Sequence, residues 1–258
     1  MKPVLDKYML GQATVDSGSL ATMSSIIHRI AEPGEYRGTV YRGTAKVGCF
    51  SLQVCDCEDQ PLTTEGLPCQ VTIDLLSLDA ATCPKPDKDS CLFPLRTGGH
   101  VVFFVSTGPG EYAVEIYRRE RKKEPVKVFD SRLLDRGDLF VTHILRPGRY
   151  AIRNTRGKGQ ADLNVEYPEP GKLTQMMEPV LIECKDGIMK PAELKIQPVQ
   201  AIMFSCTQPA RITIELKKAE DRPRPARPPI VTPAAMPRKE KSGPTGPKTI
   251  LRKIRFSG

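Results

Sequence analysis

Two long stretches of this chain are versions of each other. "VVFFVSTGPGEYAVEIYRRE", ending at Glu120, lies without a gap on "AIMFSCTQPARITIELKKAE", ending at Glu220. At that shift Val114-Glu115-Ile116 falls on Ile214-Glu215-Leu216, and the basic pair Arg118-Arg119 on Lys218 and its neighbour. Upstream, Val15-Asp16-Ser17 matches Phe129-Asp130-Ser131, and Pro33-Gly34 with Tyr36 matches Pro147-Gly148 with Tyr150. The two halves align at different shifts, which places an insertion of about fourteen residues in the first copy, between Val54 and Phe93. A repeat of this length restricts the fold to two copies of one unit, or to units assembled from both copies.

Within each copy the apolar residues alternate. Val101, Phe103 and Val105, with Val114 and Ile116, take one face; Val102 and Phe104, with Ala113, Glu115 and Tyr117, take the other. Short segments rich in Val, Ile, Phe and Tyr, bounded by Gly/Pro turns, predict antiparallel strands in a sandwich. Residues 19–31 and 172–178 are the two places where a short helical turn is expected. The expected fold class is all-β: two Greek-key β-sandwich repeats at 12–120 and 126–220, with a Cys-rich insertion at about 55–92.

The segment from Val71 to Tyr167 resembles the cupredoxin family. "VTIDL" stands for an edge strand, and "FPLRTGGHVVFFV" for a Phe-Pro lead-in, a glycine turn and an apolar strand. "VFDSRLLDRGDLFVTHILRPGRY" leads to a Pro-Gly-x-Tyr corner, and "ADLNV" closes the unit. Copper-binding members of that family carry Cys, His and Met after the corner tyrosine, a donor set that tunes the metal's potential. The resemblance maps those positions onto Asn154, Gly157 and Asp162, and in the first copy onto Val40 and Gly43. The ligands are therefore missing from both loops, and none of His28, His100 and His143 falls on a ligand position. The resemblance implies a kept sandwich without its copper. It also allows a second frame, in which 178–217 supplies the first half of a unit and 12–54 the second half. That unit would close within one chain or between chains, since unpaired strand edges are docking templates.

Charge separates the tail from the body. From Asp221 to Gly258 there are ten Lys/Arg and two acidic residues, so nearly all of the net charge of +9 sits there. The same segment holds eight of the 24 prolines and few large apolar residues, a composition that cannot offset its ordering entropy. A disordered basic tail is expected at 221–258. Its candidate partner-binding residues are Arg222, Arg224, Arg227, Arg238, Lys239, Lys241, Lys248, Arg252, Lys253 and Arg255. They are joined by Ile250, Leu251, Ile254 and Phe256 of the final "TILRKIRF". Such a tail suits an acidic protein surface or, through counterion release, nucleic acid.

Six of the eight cysteines lie between 49 and 91. Cys55, Cys57, Cys69, Cys83 and Cys91 offer a zinc set, although Cys-x-Cys is not the usual Cys-x2–4-Cys knuckle. Cys83–Cys91 is a disulfide alternative in an oxidising compartment, and free thiols are the third state. Motifs for hydrolysis or phosphate cradling are absent, and Asp16-Ser17 and Asp130-Ser131 read as turn-capping pairs. "YRRERKKEP", 117–125, reads as a solvated hairpin.

No apolar run approaches the roughly 18 residues of a membrane span, and the start lacks the apolar core of a secretory signal. The expectation is a cytoplasmic, non-enzymatic structural or assembly protein without a cofactor. It would associate with itself or with a protein partner. Nucleic-acid binding through the tail and metal or redox chemistry in the Cys-rich insertion are the alternatives.

Overall fold

The computed structural model describes residues 11–56, 66–79, 91–120, 124–167 and 177–220. The whole basic tail, Cys57, Cys83, residues 121–123 of the basic run and residues 172–176 lie outside these.

In chain order the strands are β1 (Thr14–Asp16), β2 (Ser24–Arg29), β3 (Gly34–Arg42), β4 (Ala45–Cys55), β5 (Gln70–Asp74), β6 (Leu92–Arg96), β7 (His100–Phe104), β8 (Tyr112–Arg118) and β9 (Val126–Asp130). There follow β10 (Leu139–His143), β11 (Gly148–Asn154), β12 (Gln160–Val165), β13 (Val180–Lys185), β14 (Ile188–Lys190), β15 (Glu193–Ile196), β16 (Ala201–Cys206) and β17 (Ile212–Ala219). A single 3-10 turn, Leu76–Leu78, is the only named helical element among the described residues. No helix there is long and apolar enough to cross a membrane.

Among the described residues the strands form three sheets. Two have five strands, in the orders β6-β4-β3-β8-β9 and β1-β17-β11-β12-β15; the third has seven, β14-β13-β16-β10-β2-β7-β5. Alternation along the strands decides which residues meet. Phe50 of β4 and Phe129 of β9 both lie 5.8 Å, ring to ring, from Phe103 of β7, and His28 of β2 stacks on Phe129 at 4.2 Å. The first five-stranded sheet is thereby packed on one half of the long sheet. Tyr150, Ile152, Leu163, Ile196 and Ile214 of the other five-stranded sheet share the buried apolar cluster with Phe140, Ile182, Ile202 and Phe204 of the long sheet. Most of these side chains are fully buried, and burying one stabilises the fold by about 1.5–3 kcal/mol.

The two five-stranded sheets have one design. Read from the other edge, the first is β9-β8-β3-β4-β6, which matches β1-β17-β11-β12-β15 strand for strand along the sequence repeat. Each half sends its first strand to its counterpart: β1 pairs with β17, and β9 with β8. The halves also meet where β2 pairs with β10 in the middle of the long sheet. The other ladders stay within one half, with β3 and β4 against β8 and β6, and β11 and β12 against β17 and β15.

Register corrects the gapless alignment. Ile26 faces Phe103 and the matching Phe140 faces Phe204, so Phe103 corresponds to Phe204 and not to Met203. Gly38 faces Ile116 and the matching Ile152 faces Ile214, so Ile116, not Val114, corresponds to Ile214. A slip of one residue exchanges the faces of a strand. Ile202, Phe204 and Cys206 are buried, whereas Ala201, Met203 and Ser205 are only partly so. The gap falls in the β7–β8 connection, Val105–Glu111, which is longer than Thr207–Arg211. The helical turn expected over 19–31 is a strand instead. Between β7 and β10, Ser24 and Ile26 of β2 point inward while Ser25 and Ile27 point out, and the Ser24 hydroxyl meets that of Thr142 at 2.9 Å.

Candidate functional site

What the two halves share is scaffold. The corner tyrosines donate back to the chain: Tyr36 to the Glu32 carbonyl and Tyr150 to the Arg146 carbonyl, each at 2.7 Å. The glycines before them, Gly34 and Gly148, have φ of 145° and 154°, which a side chain rarely adopts. Ser17 and Ser131 are fully buried and accept from the backbone N–H of Ile212 (2.9 Å) and Val114 (2.8 Å). Asp16 and Asp130 accept from the N–H two residues on, at Gly18 and Arg132. Both aspartates are thus turn caps, as their spacing suggests.

The positions that the copper resemblance singled out have other tasks. Asn154 Oδ1 accepts from the N–H groups of Arg156 (3.0 Å) and Arg211 (3.1 Å). Asp162 is exposed, Val40 is buried in the core, and Gly43 forms a turn at φ 59°. His28 Nδ1 lies 2.7 Å from Asp138, and His143 Nδ1 lies 3.3 Å from the Met23 carbonyl. Among the described residues, Cys49, Cys55, Cys69, Cys91, Cys184 and Cys206 are free thiols. No group of three His, Cys, Asp or Glu among those residues is placed to hold a metal. Cys184 and Cys206 are buried cross-strand partners on β13 and β16. Every tail residue named from the sequence, Arg222 to Phe256, lies outside the described residues.

Two sheet faces carry chemistry that the fold does not consume. The first is the outer face of the seven-stranded sheet. Register places Leu181, Met203, Val141, Ser25 and Phe104 in one row across five strands, ended by Asp74 on β5. A second row runs Glu183, Ser205, Leu139, Ile27, Val102 and Thr72. Leu181 is 46% exposed, the other apolar members are partly exposed, and none belongs to the core cluster. A half-solvated antiparallel sheet normally alternates apolar-in with polar-out. Here the out-facing rows are largely apolar as well.

The second is the outer face of β3, β8 and β9. Glu115, only 9% exposed, accepts from Tyr41 Oη (3.0 Å), Tyr117 Oη (3.0 Å) and Arg132 Nη1 (2.9 Å). The Arg132 guanidinium lies 4.7 Å from the centre of the Tyr41 ring. Burial pushes the Glu115 carboxyl up, but Tyr117, Tyr41 and Arg132 together outweigh burial and hold it below its ordinary value. Lys127 and Asp130 complete the cluster at 3.1 Å. Beside it, Arg37, Thr39, Lys46, Tyr117, Arg119 and Pro125 line a depression of about 430 Å³. Sequence reasoning missed this face because Tyr41, Glu115 and Arg132 come together only through the β3–β8 and β8–β9 ladders. The one signal was Glu115 itself, a charge within an otherwise apolar strand.

No family model, curated protein or solved structure matches this chain.

Proposed function

We propose that this chain is a non-enzymatic assembly protein. Its two sandwich repeats resemble cupredoxins without the copper ligands and serve as contact surfaces, while the basic tail docks on an acidic partner. The single observation that carries the reading is the apolar outer face of the seven-stranded sheet, with Leu181, Met203, Val141, Leu139, Ile27, Val102 and Phe104 in adjoining rows.

The occupant of that face is a second copy of the chain. Six of the seven strands, β14 being shorter, share about five residues of length and, spaced about 4.8 Å apart, present a face of roughly 30 Å by 17 Å. Two such patches face to face remove on the order of 1,000 Å² of surface from water, the lower bound for a specific interface. A two-fold axis in the plane of contact makes the patch its own complement. An interface of this size supports a dimer in the micromolar range, about −8 kcal/mol.

Light scattering on the full chain at about 100 μM tests this, and a dimer is expected. Met203→Glu and Val102→Lys, made separately, each yield a monomer with an unchanged melting temperature. A strict monomer of the unsubstituted chain overturns the reading. So does a dimer that persists in both variants.

A further inference from the structure

The depression on the outer face of β3 and β8 collects positive charge that the described residues leave largely unpaired. Among the described residues, no carboxylate lies within 4 Å of Arg37 or Lys46, and neither side chain has a hydrogen-bond partner. Arg119 reaches Glu35 only at 3.9 Å, and both of those side chains are more than half exposed. An ion pair so long and so wet contributes little. The neighbouring cations are different. Arg132 and Lys127 are tied closely to Glu115 and Asp130, whereas around the depression only Arg119 has even a long, exposed partner among the described residues.

The repeat supplies a comparison inside one chain. By register, Arg37 corresponds to Ala151 and Tyr117 to Glu215, and Lys217 stands at the bulge that the β11–β17 ladder makes beside them. In that half Lys217 is bonded to Glu215 at 2.6 Å. The same sheet therefore forms equally well with a neutralised face, and the unpaired cations are not a requirement of the fold.

We infer that Arg37, Lys46 and Arg119, set around the Tyr117 ring and Pro125, form a binding site for a small molecule bearing a phosphate-class oxyanion. Guanidinium forks match tetrahedral oxyanions with paired donors, and a lysine adds a mobile third charge. Thr39, nearly buried between Arg37 and Glu115 in the ladder, places a hydroxyl at the lining of the site. The Glu115 cluster fixes the Tyr117 hydroxyl, so the ring stands as a rigid apolar wall. The depression, at about 430 Å³, falls within the range of small-molecule sites. The chemistry is shared by free inorganic phosphates and by nucleoside phosphates, and only the latter use the ring wall.

The test is an amide-resolved NMR titration of the full chain at low salt, first with inorganic pyrophosphate and then with ADP. Saturable shifts centred on Arg37, Tyr117 and Arg119 are expected at or below about 1 mM. Arg37→Gln with Lys46→Gln weakens binding at least about tenfold, with no change in melting temperature. Equal affinity for the two probes assigns the site to a free oxyanion. Tighter binding of ADP that Tyr117→Phe keeps and Tyr117→Ala removes assigns it to a nucleoside phosphate. Shifts confined to residues beyond Asp221 would place anion binding in the basic tail and overturn the inference. Absence of saturation by about 10 mM, or unchanged affinity in the double variant, also overturns it.

Discussion

Asp16 and Arg211, 195 residues apart, are joined by two parallel hydrogen bonds, Nε to Oδ1 at 2.9 Å and Nη2 to Oδ2 at 2.6 Å. They tie the first described strand to the last, across the β1–β17 ladder that begins Thr14↔Glu215. Both side chains are about a third exposed, which screens the pair, but the paired geometry is the kind that survives solvent. Arg211→Ala is expected to lower stability by about 1 kcal/mol in denaturant titrations. Arg211→Lys restores less than half of that loss, because an ammonium cannot make both bonds.

Ser131→Ala removes the hydroxyl that accepts from the buried Val114 N–H, and Ser17→Ala does the same at Ile212. A buried donor left unpaired costs about 1–3 kcal/mol, far more than the lost methylene-scale contact. Each substitution is expected to shift the denaturation midpoint by a similar amount, since the two serines hold equivalent places. Threonine in either position, with its hydroxyl retained, is the informative control.

The Glu115 carboxyl is held below its ordinary 4.5 once Tyr117, Tyr41 and Arg132 overcome the cost of burial. A depressed acid stabilises the fold above its unfolded pKa and loses that contribution as pH falls through the folded value. Stability is therefore expected to decline below about pH 4.5 in a Glu115-dependent step. Glu115→Gln flattens that step and lowers stability at neutral pH, which urea titrations at several pH values measure directly.

Tyr112 behaves in the opposite sense. Burial, and then its hydrogen bond to Asp79 at 2.8 Å, push the hydroxyl from 10.0 up to about 12. Its contribution is complete below pH 10 and is lost as pH rises through the folded value. Tyr36, Tyr41 and Tyr117 are also pushed up, so ultraviolet titration is expected to show a spread of late tyrosine steps, and Tyr112→Phe removes the one near 12.

The strands and corners were legible in the sequence because period-two alternation and Pro-Gly turns are local. β2 was not. "SSIIHR" sets two isoleucines side by side between serines, which suits a helical turn, and only pairing with β7 and β10 on both sides makes it a strand. The gapless match of the two halves failed for a related reason: identity of residue type across Phe103–Phe104 and Met203–Phe204 hid a one-residue slip that burial settles at once. The oxyanion site was illegible because Arg37, Lys46 and Tyr117 lie on three strands whose adjacency no local pattern states. The Pro-Gly corner loops could be read directly, and Asn154 proves to serve the backbone there.

The trade of β1 for β9 makes the two halves interlock. Cut free between Glu120 and Val126, either piece would keep a vacant slot along its last strand and a first strand with no seat. Only a twin could fill both, by mutual lending across a two-fold axis running between β2 and β10. The covalent link between the halves thus does the work of a subunit interface, and the protein is best pictured as a pseudo-symmetric pair that can never come apart by dilution.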